Sequence, residues 1–137
     1  KGGEVARSQF ESGADVVFAA AGSSGVGVIQ TAADMGKLAI GVDSNQNYLQ
    51  PGTVLTSMVK RVGEAAYQSY AAEQNGTWKP GFVSMGLAEG GVDWALDEHN
   101  RGLVTADMEA KVNALKAAII AGELSVHDYM SDNTCNY

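Results

Sequence analysis

The run Gly22-Ser-Ser-Gly-Val-Gly27 lies between an apolar stretch and an amphipathic one, where a strand can hand over to a helix. Glycines at such a point let a ligand approach the backbone, and N–H groups at a helix start favour polar or anionic atoms. The spacing is neither the dinucleotide fingerprint nor a phosphate loop, because no Lys-Ser/Thr pair follows. A tight strand–helix turn would use the same residues. Asp43 closes the next apolar stretch, roughly twenty residues on, where acids commonly accept ribose hydroxyls. In the string Asp43-Ser44-Asn45 it is equally a turn residue. Lys60, at the end of Ser57-Met-Val-Lys60, is the third candidate; a lone Lys at a strand end also serves as a solvated charge.

Other residue types offer less. His99 lies in the polar string Asp97-Glu-His-Asn-Arg101 and His127 beside Asp128, too far apart in sequence for a shared metal, so both read as surface residues. Asp97 and Glu98 read as solvated acids of that same turn. Ser23 and Ser24 lack the Gly-x-Ser-x-Gly setting of a nucleophile elbow. Trp78 and Trp94 suit packing as well as ligand stacking. Cys135, the single cysteine, stands in a polar tail and excludes an internal disulfide or a cysteine zinc cage. No catalytic residue, metal site or cofactor is expected.

The candidates need a scaffold, and the hydrophobic pattern supplies one. Glu4 to Ser12 reads as a helix with Val5, Ala6 and Phe10 on one side, stopped by Gly13. Asp15–Ala21 and Leu38–Val42 are short continuous apolar runs, as in parallel strands buried on both faces. Between them, Gly25 to Met35 carries a helical stripe of Val26, Ile29 and Ala33. Val54 to Lys60 alternates as a strand and Gly63 to Gln74 is helix-rich. Phe82 to Leu87 and Val92 to Leu96 are further strand candidates. Thr105 caps a helix over Ala106 to Ala121, striped by Met108, Val112, Leu115 and Ile119. The order predicts a three-layer α/β fold with a mostly parallel sheet, in which Asp15–Ala21 and Leu38–Val42 are adjacent central strands.

The 137 residues suit one α/β region, 45% hydrophobic and 18% charged. A net charge of −7 argues against a nucleic-acid partner, which needs clustered Lys and Arg. No apolar run reaches the ~20 residues of a membrane span.

The strings Gly13-Ala-Asp-Val-Val-Phe-Ala-Ala-Ala-Gly22, Gly25-Val-Gly-Val28, Ile40-Gly-Val-Asp-Ser-Asn-Gln46, Val54-Leu-Thr-Ser-Met-Val-Lys-Arg-Val62 and Gly86-Leu-Ala-Glu-Gly-Gly-Val92 occur in this order. Together they resemble the basic-membrane-protein family of solute-binding lipoproteins, purine-nucleoside-receptor-like components of ABC-type importers, from about Gly3 to Val126. The resemblance implies the second lobe and C-terminal crossover of a type I periplasmic-binding-protein fold, with the first lobe absent. It implies that Gly22, Asp43 and Lys60 match ribose-contacting positions, since a carboxylate accepts sugar hydroxyls and an ammonium donates to them. Asn45 departs from the family's usual second Asp. Further implications are a purine nucleoside or related small solute, an ABC permease as partner, and a bacterial periplasmic or cell-surface location. Membrane attachment would be only through a lipid anchor on the missing N-terminal part. On this reading the chain is a C-terminal fragment, and its cut faces, including Val5, Phe10, Ala66, Tyr67 and Tyr70, should be exposed. The competing readings are a Rossmann-like nucleotide domain of an enzyme and a ligand-sensing regulatory domain.

Overall fold

The computed structural model describes residues 1–135; Asn136 and Tyr137, the end of the polar tail, lie outside the described residues. Two compact units form, Lys1–Thr105 and a second one beginning at Ala106.

The first unit opens with α1, Gly2–Glu11, followed by β1, Val16–Phe18, and α2, Ser24–Asp34. Next come β2, Leu38–Asp43, a 3-10 turn at Asn47–Leu49, and β3, Val54–Lys60. The unit ends with α3, Val62–Gln74, and β4, Val92–Trp94. One sheet holds the strands in chain order, β1-β2-β3-β4. β1, β2 and β3 run parallel and β4 pairs antiparallel to β3, so the sheet is mostly parallel, as expected.

The core lies where α1 and α2 meet the sheet. Ala6 and Phe10, one helical turn apart, bury one face of α1. α2 buries Gly25, Val28, Ile29 and Ala32 at helical spacing, and Ala39 and Val54 meet them from β2 and β3. Complete burial of Ile29 or Val54 contributes about 1.5–3 kcal/mol each. The buried stripe of α2 is rotated from the expected one, since Val26 is half exposed. Phe10, expected on an exposed face, is a core residue, whereas Val5, Tyr67 and Tyr70 are exposed as anticipated.

Two strand expectations are corrected. β1 spans three residues and lies at the sheet edge, so Val16 and Phe18 keep much of their surface and the strand is neither central nor buried on both faces. Phe82–Leu87 forms no strand. Both edges of β3 are taken by β2 and β4, and the segment pairs with none of the four strands. That segment instead folds back, with Gly91 N–H donating to Gly86 O and Arg61 N–H to Gly91 O.

The β2-to-β3 crossover, residues 44–53, carries no α-helix. Buried polar side chains hold it in place: Asn47, Ser57 and Asn100 are each fully buried. Every buried side-chain nitrogen or oxygen among the described residues has a partner.

In the second unit, α4 spans Ala106–Ile120; of the expected stripe, Met108, Val112 and Leu115 are exposed and Ile119 is half-buried. One further helical turn, α5 at Tyr129–Asp132, starts where the Asp128 carboxylate accepts from Met130 N–H. Cys135 is free and exposed.

Candidate functional site

Parallel strands present their carboxyl ends together, and β1, β2 and β3 all end on the same rim. Each of the three candidate residues stands at or just past one of those ends.

β2 and β3 bring two of them into contact. Asp43 pairs in register with Val59, next to Lys60, and Lys60 Nζ lies 2.8 Å from Asp43 Oδ1. Both side chains are 54% exposed, so the pair faces solvent with spare acceptor and donor capacity. Asp43 has φ +68 and centres a three-residue turn closed by Ser44 N–H to Val42 O at 2.8 Å. Left-handed backbone is uncommon outside glycine, with Asp and Asn the usual exceptions. Such turns are rare and strained.

Gly22 sits on the neighbouring connection, from β1 into α2, exposed and at φ +54. Glycine adopts that conformation without steric cost. It shares the rim with the Asp43–Lys60 pair, on a separate loop. The remaining glycines of the run have packing duties. Gly25 is buried against Ala19, and Gly27 meets Gly3 of α1. A Cβ on Gly3 would lie 2.7 Å from Thr31 Oγ1 and 3.1 Å from Gly27 O, so α1 and α2 approach through bare backbone. The first amides of α2 are already engaged, Ser24, Gly25 and Val26 donating to the carbonyls of Ala21, Gly22 and Ser23. A phosphate would need those donors free. The loop suits close approach of a neutral ligand better than anion capture.

Asp97 was expected to be only solvated. It is half-buried, and its Oδ2 accepts from Asn45 Nδ2 at 2.7 Å and Asn47 Nδ2 at 3.1 Å. Its Oδ1 accepts from His99 N–H at 2.8 Å. Partial burial pushes its pKa up, but hydrogen bonds from Asn45, the His99 backbone and Asn47 outweigh this and leave the carboxyl below its ordinary value. Asn100 Oδ1 accepts from Asp97 N–H, and its Nδ2 donates to Leu55 O and Ala95 O. Asp97 thereby fastens the β2–β3 crossover to the segment after β4. Asp97, Glu98 and His99 present ligand atoms close together, but this Asp97 carboxylate is already occupied by three N–H donors. Nothing in the composition of the turn signals these bonds, which join residues about fifty positions apart.

A mostly parallel α/β sheet with polar residues at the carboxyl rim of its strands is common to many ligand-binding folds, solute-binding proteins among them. An ABC-transporter solute-binding protein from Aeropyrum pernix superposes with a TM-score of 0.73 at 26% identity, over 95% of this chain and 45% of that one. A Bacillus halodurans protein described as a transcriptional activator of the comK gene superposes at 0.82 with 22% identity, over 90% of this chain and 43% of that one. This second likeness shows the fold alone. The chain belongs to the family described as ABC transporter substrate-binding protein PnrA-like, whose model matches residues 1–129. Basic membrane protein B of Borrelia garinii subsp. bavariensis is 32% identical over 91% of this chain and 36% of its own length. Basic membrane protein D of Borreliella burgdorferi is 37% identical over 72% of this chain and 30% of its own. The chain thus spans about a third of the curated relatives it matches. Among the described residues, no helix is long and apolar enough to cross a membrane.

Proposed function

We propose that this chain forms one wall of the cleft of a two-lobed solute-binding protein, and that the solute is a purine nucleoside or a close relative held by its ribose. The observation that carries the reading is the half-exposed Asp43–Lys60 pair at the carboxyl ends of β2 and β3. A carboxylate offers acceptors for two neighbouring hydroxyls, and the adjacent ammonium donates to their oxygens. Gly22 leaves room for a sugar beside them. Holding a neutral polyol in this way requires no nucleophile and no proton transfer, so the role is capture without catalysis. Family membership supports delivery to an ABC permease, outside the cytoplasm.

Titration calorimetry of the two-lobed protein with inosine, adenosine and guanosine, against glucose as control, tests the proposal. Asp43→Ala removes a charged acceptor, and hydrogen bonds to charged groups are worth about 1.5–3 kcal/mol, so nucleoside affinity should fall at least about tenfold. Equal affinity of the variant and the parent would remove Asp43 from the site.

A further inference from the structure

Asp43 does not hold its conformation alone. β1 pairs with β2 only as far as Phe18↔Ile40, so the last part of β2 lacks that neighbour. Where the ladder stops, a side chain steps in: Val42 N–H donates to Gln46 Oε1 at 2.9 Å. Val42 is the residue whose carbonyl closes the turn around Asp43. Gln46 therefore grips the first residue of that turn while belonging to the crossover that follows it.

Gln46 is itself held. Its backbone N–H donates to Ser57 Oγ at 3.0 Å, and Ser57 Oγ donates to Asn47 Oδ1 at 2.8 Å. Asn47 Nδ2 continues to Asp97. The fit against β2 is tight. A Cβ on Gly41 would lie 2.5 Å from Ser57 Oγ and 2.9 Å from Gln46 Cβ, so a side chain there would collide with both. The chain of bonds thus runs from the fully buried Ser57 and Asn47, through Gln46, to the strained residue at the rim.

We propose that Gln46 is the positioning residue for Asp43. Its amide oxygen holds the backbone of Val42 so that Asp43 stays left-handed, with its carboxylate directed at Lys60 and toward solute. The value of this positioning for affinity rests on the proposed function; the positioning of the backbone does not. Strained conformations persist only where their surroundings over-determine them, and Gln46 supplies that constraint from outside the turn. Without the acceptor, Val42 N–H is left unpaired in a buried position and Asp43 relaxes toward ordinary negative φ. The Lys60 contact is then lost.

The experiment uses the full chain and the variants Gln46→Met and Gln46→Glu. Met keeps the length and bulk but offers no comparable acceptor, whereas Glu retains a carboxyl oxygen in either protonation state. NMR without any ligand reads the HN–Hα coupling and Cα shift of Asp43 together with amide exchange at Val42. In Gln46→Met, Val42 exchange should rise about threefold to tenfold, the scale of one lost hydrogen bond, and Asp43 should leave its left-handed conformation. Gln46→Glu should restore both, a rescue that mere packing damage would not show. Inosine titration of the same substitutions in the two-lobed protein should follow the same order. Unchanged Asp43 coupling and Val42 exchange in Gln46→Met would overturn the proposal, as would failure of Glu to restore them. If Gln46→Met does not fold, Gln46→Leu, which also lacks the acceptor, decides against the parent on the same two signals. Absence of inosine binding by the two-lobed parent would count against the solute reading only, since the ligand-free signals judge Gln46 by themselves.

Discussion

Ser57→Ala should destabilise the first unit well beyond the loss of one hydroxyl. Ser57 Oγ works in both directions, accepting from Gln46 N–H at 3.0 Å and donating to Asn47 Oδ1 at 2.8 Å. Ser57 and Asn47 are both fully buried, so water cannot readily replace the missing oxygen. Each buried polar group left without a partner costs about 1–3 kcal/mol. Gln46 is only half-buried and recovers part of its loss, so about 2–4 kcal/mol is expected for the two together. With a urea dependence of about 1–3 kcal/mol per molar, the midpoint should fall by about 1–2 M. Tryptophan fluorescence is a suitable probe, because Trp78 and Trp94 both belong to the first unit. A double-mutant cycle with Asn47→Ala isolates the pair and should give a coupling of about 1 kcal/mol or more. Strict additivity, or a midpoint shift below about 0.3 M, would refute the reasoning that this crossover is held by buried polar bonds.

Two further outcomes separate stability from binding. The Asp97 carboxyl is depressed by its hydrogen bonds, so its contribution is complete above the unfolded value of about 3.9 and is lost as pH falls through the lower folded value. Urea midpoints of the parent and Asp97→Asn should therefore differ by a constant amount above about pH 5 and converge at lower pH; a gap independent of pH would exclude the charge as its source. Lys60→Met should leave stability within about 0.5 kcal/mol, since an exposed ion pair is worth little, yet lower nucleoside affinity in the two-lobed protein. A large loss of stability with intact affinity would make Lys60 a structural residue.

Local pattern carried much of the scaffold. The apolar runs at Asp15–Ala21 and Leu38–Val42, divided by a helical stripe, determine two neighbouring parallel strands and the helix between them. Pattern also located the ends of β2 and β3, and with them Asp43 and Lys60. It failed where the outcome depends on partners distant in sequence. Phe82–Leu87 reads like a strand, but it pairs with none of the four strands of the sheet. Asp15–Ala21 is apolar enough for a central strand, yet only Val16–Phe18 pairs, and on one side only. Asn47, Asp97 and Asn100 look like solvated turn chemistry one by one, and Ser57 like an ordinary polar position of a strand. Their burial arises from bonds between the crossover, β3 and the segment after β4.

The two sequence readings of Asp43, turn residue and hydroxyl acceptor, are compatible: the structure makes it a turn residue, and the acceptor role belongs to the proposed function. A left-handed residue closing a strand would be most easily glycine, which adopts positive φ without a clash. Aspartate adopts it at a cost of about 1–3 kcal/mol. Asparagine would serve the turn as well as aspartate, without a charge. What only aspartate adds is an anionic carboxylate beside Lys60, and half-exposed ion pairs contribute too little to stability to offset the strain. The strain is compensated instead by the buried bonds behind the turn, from Gln46 through Ser57 and Asn47 to Asp97. Under the proposed function, this strained charged residue, braced from the interior at the open rim, presents its acceptor to the solute.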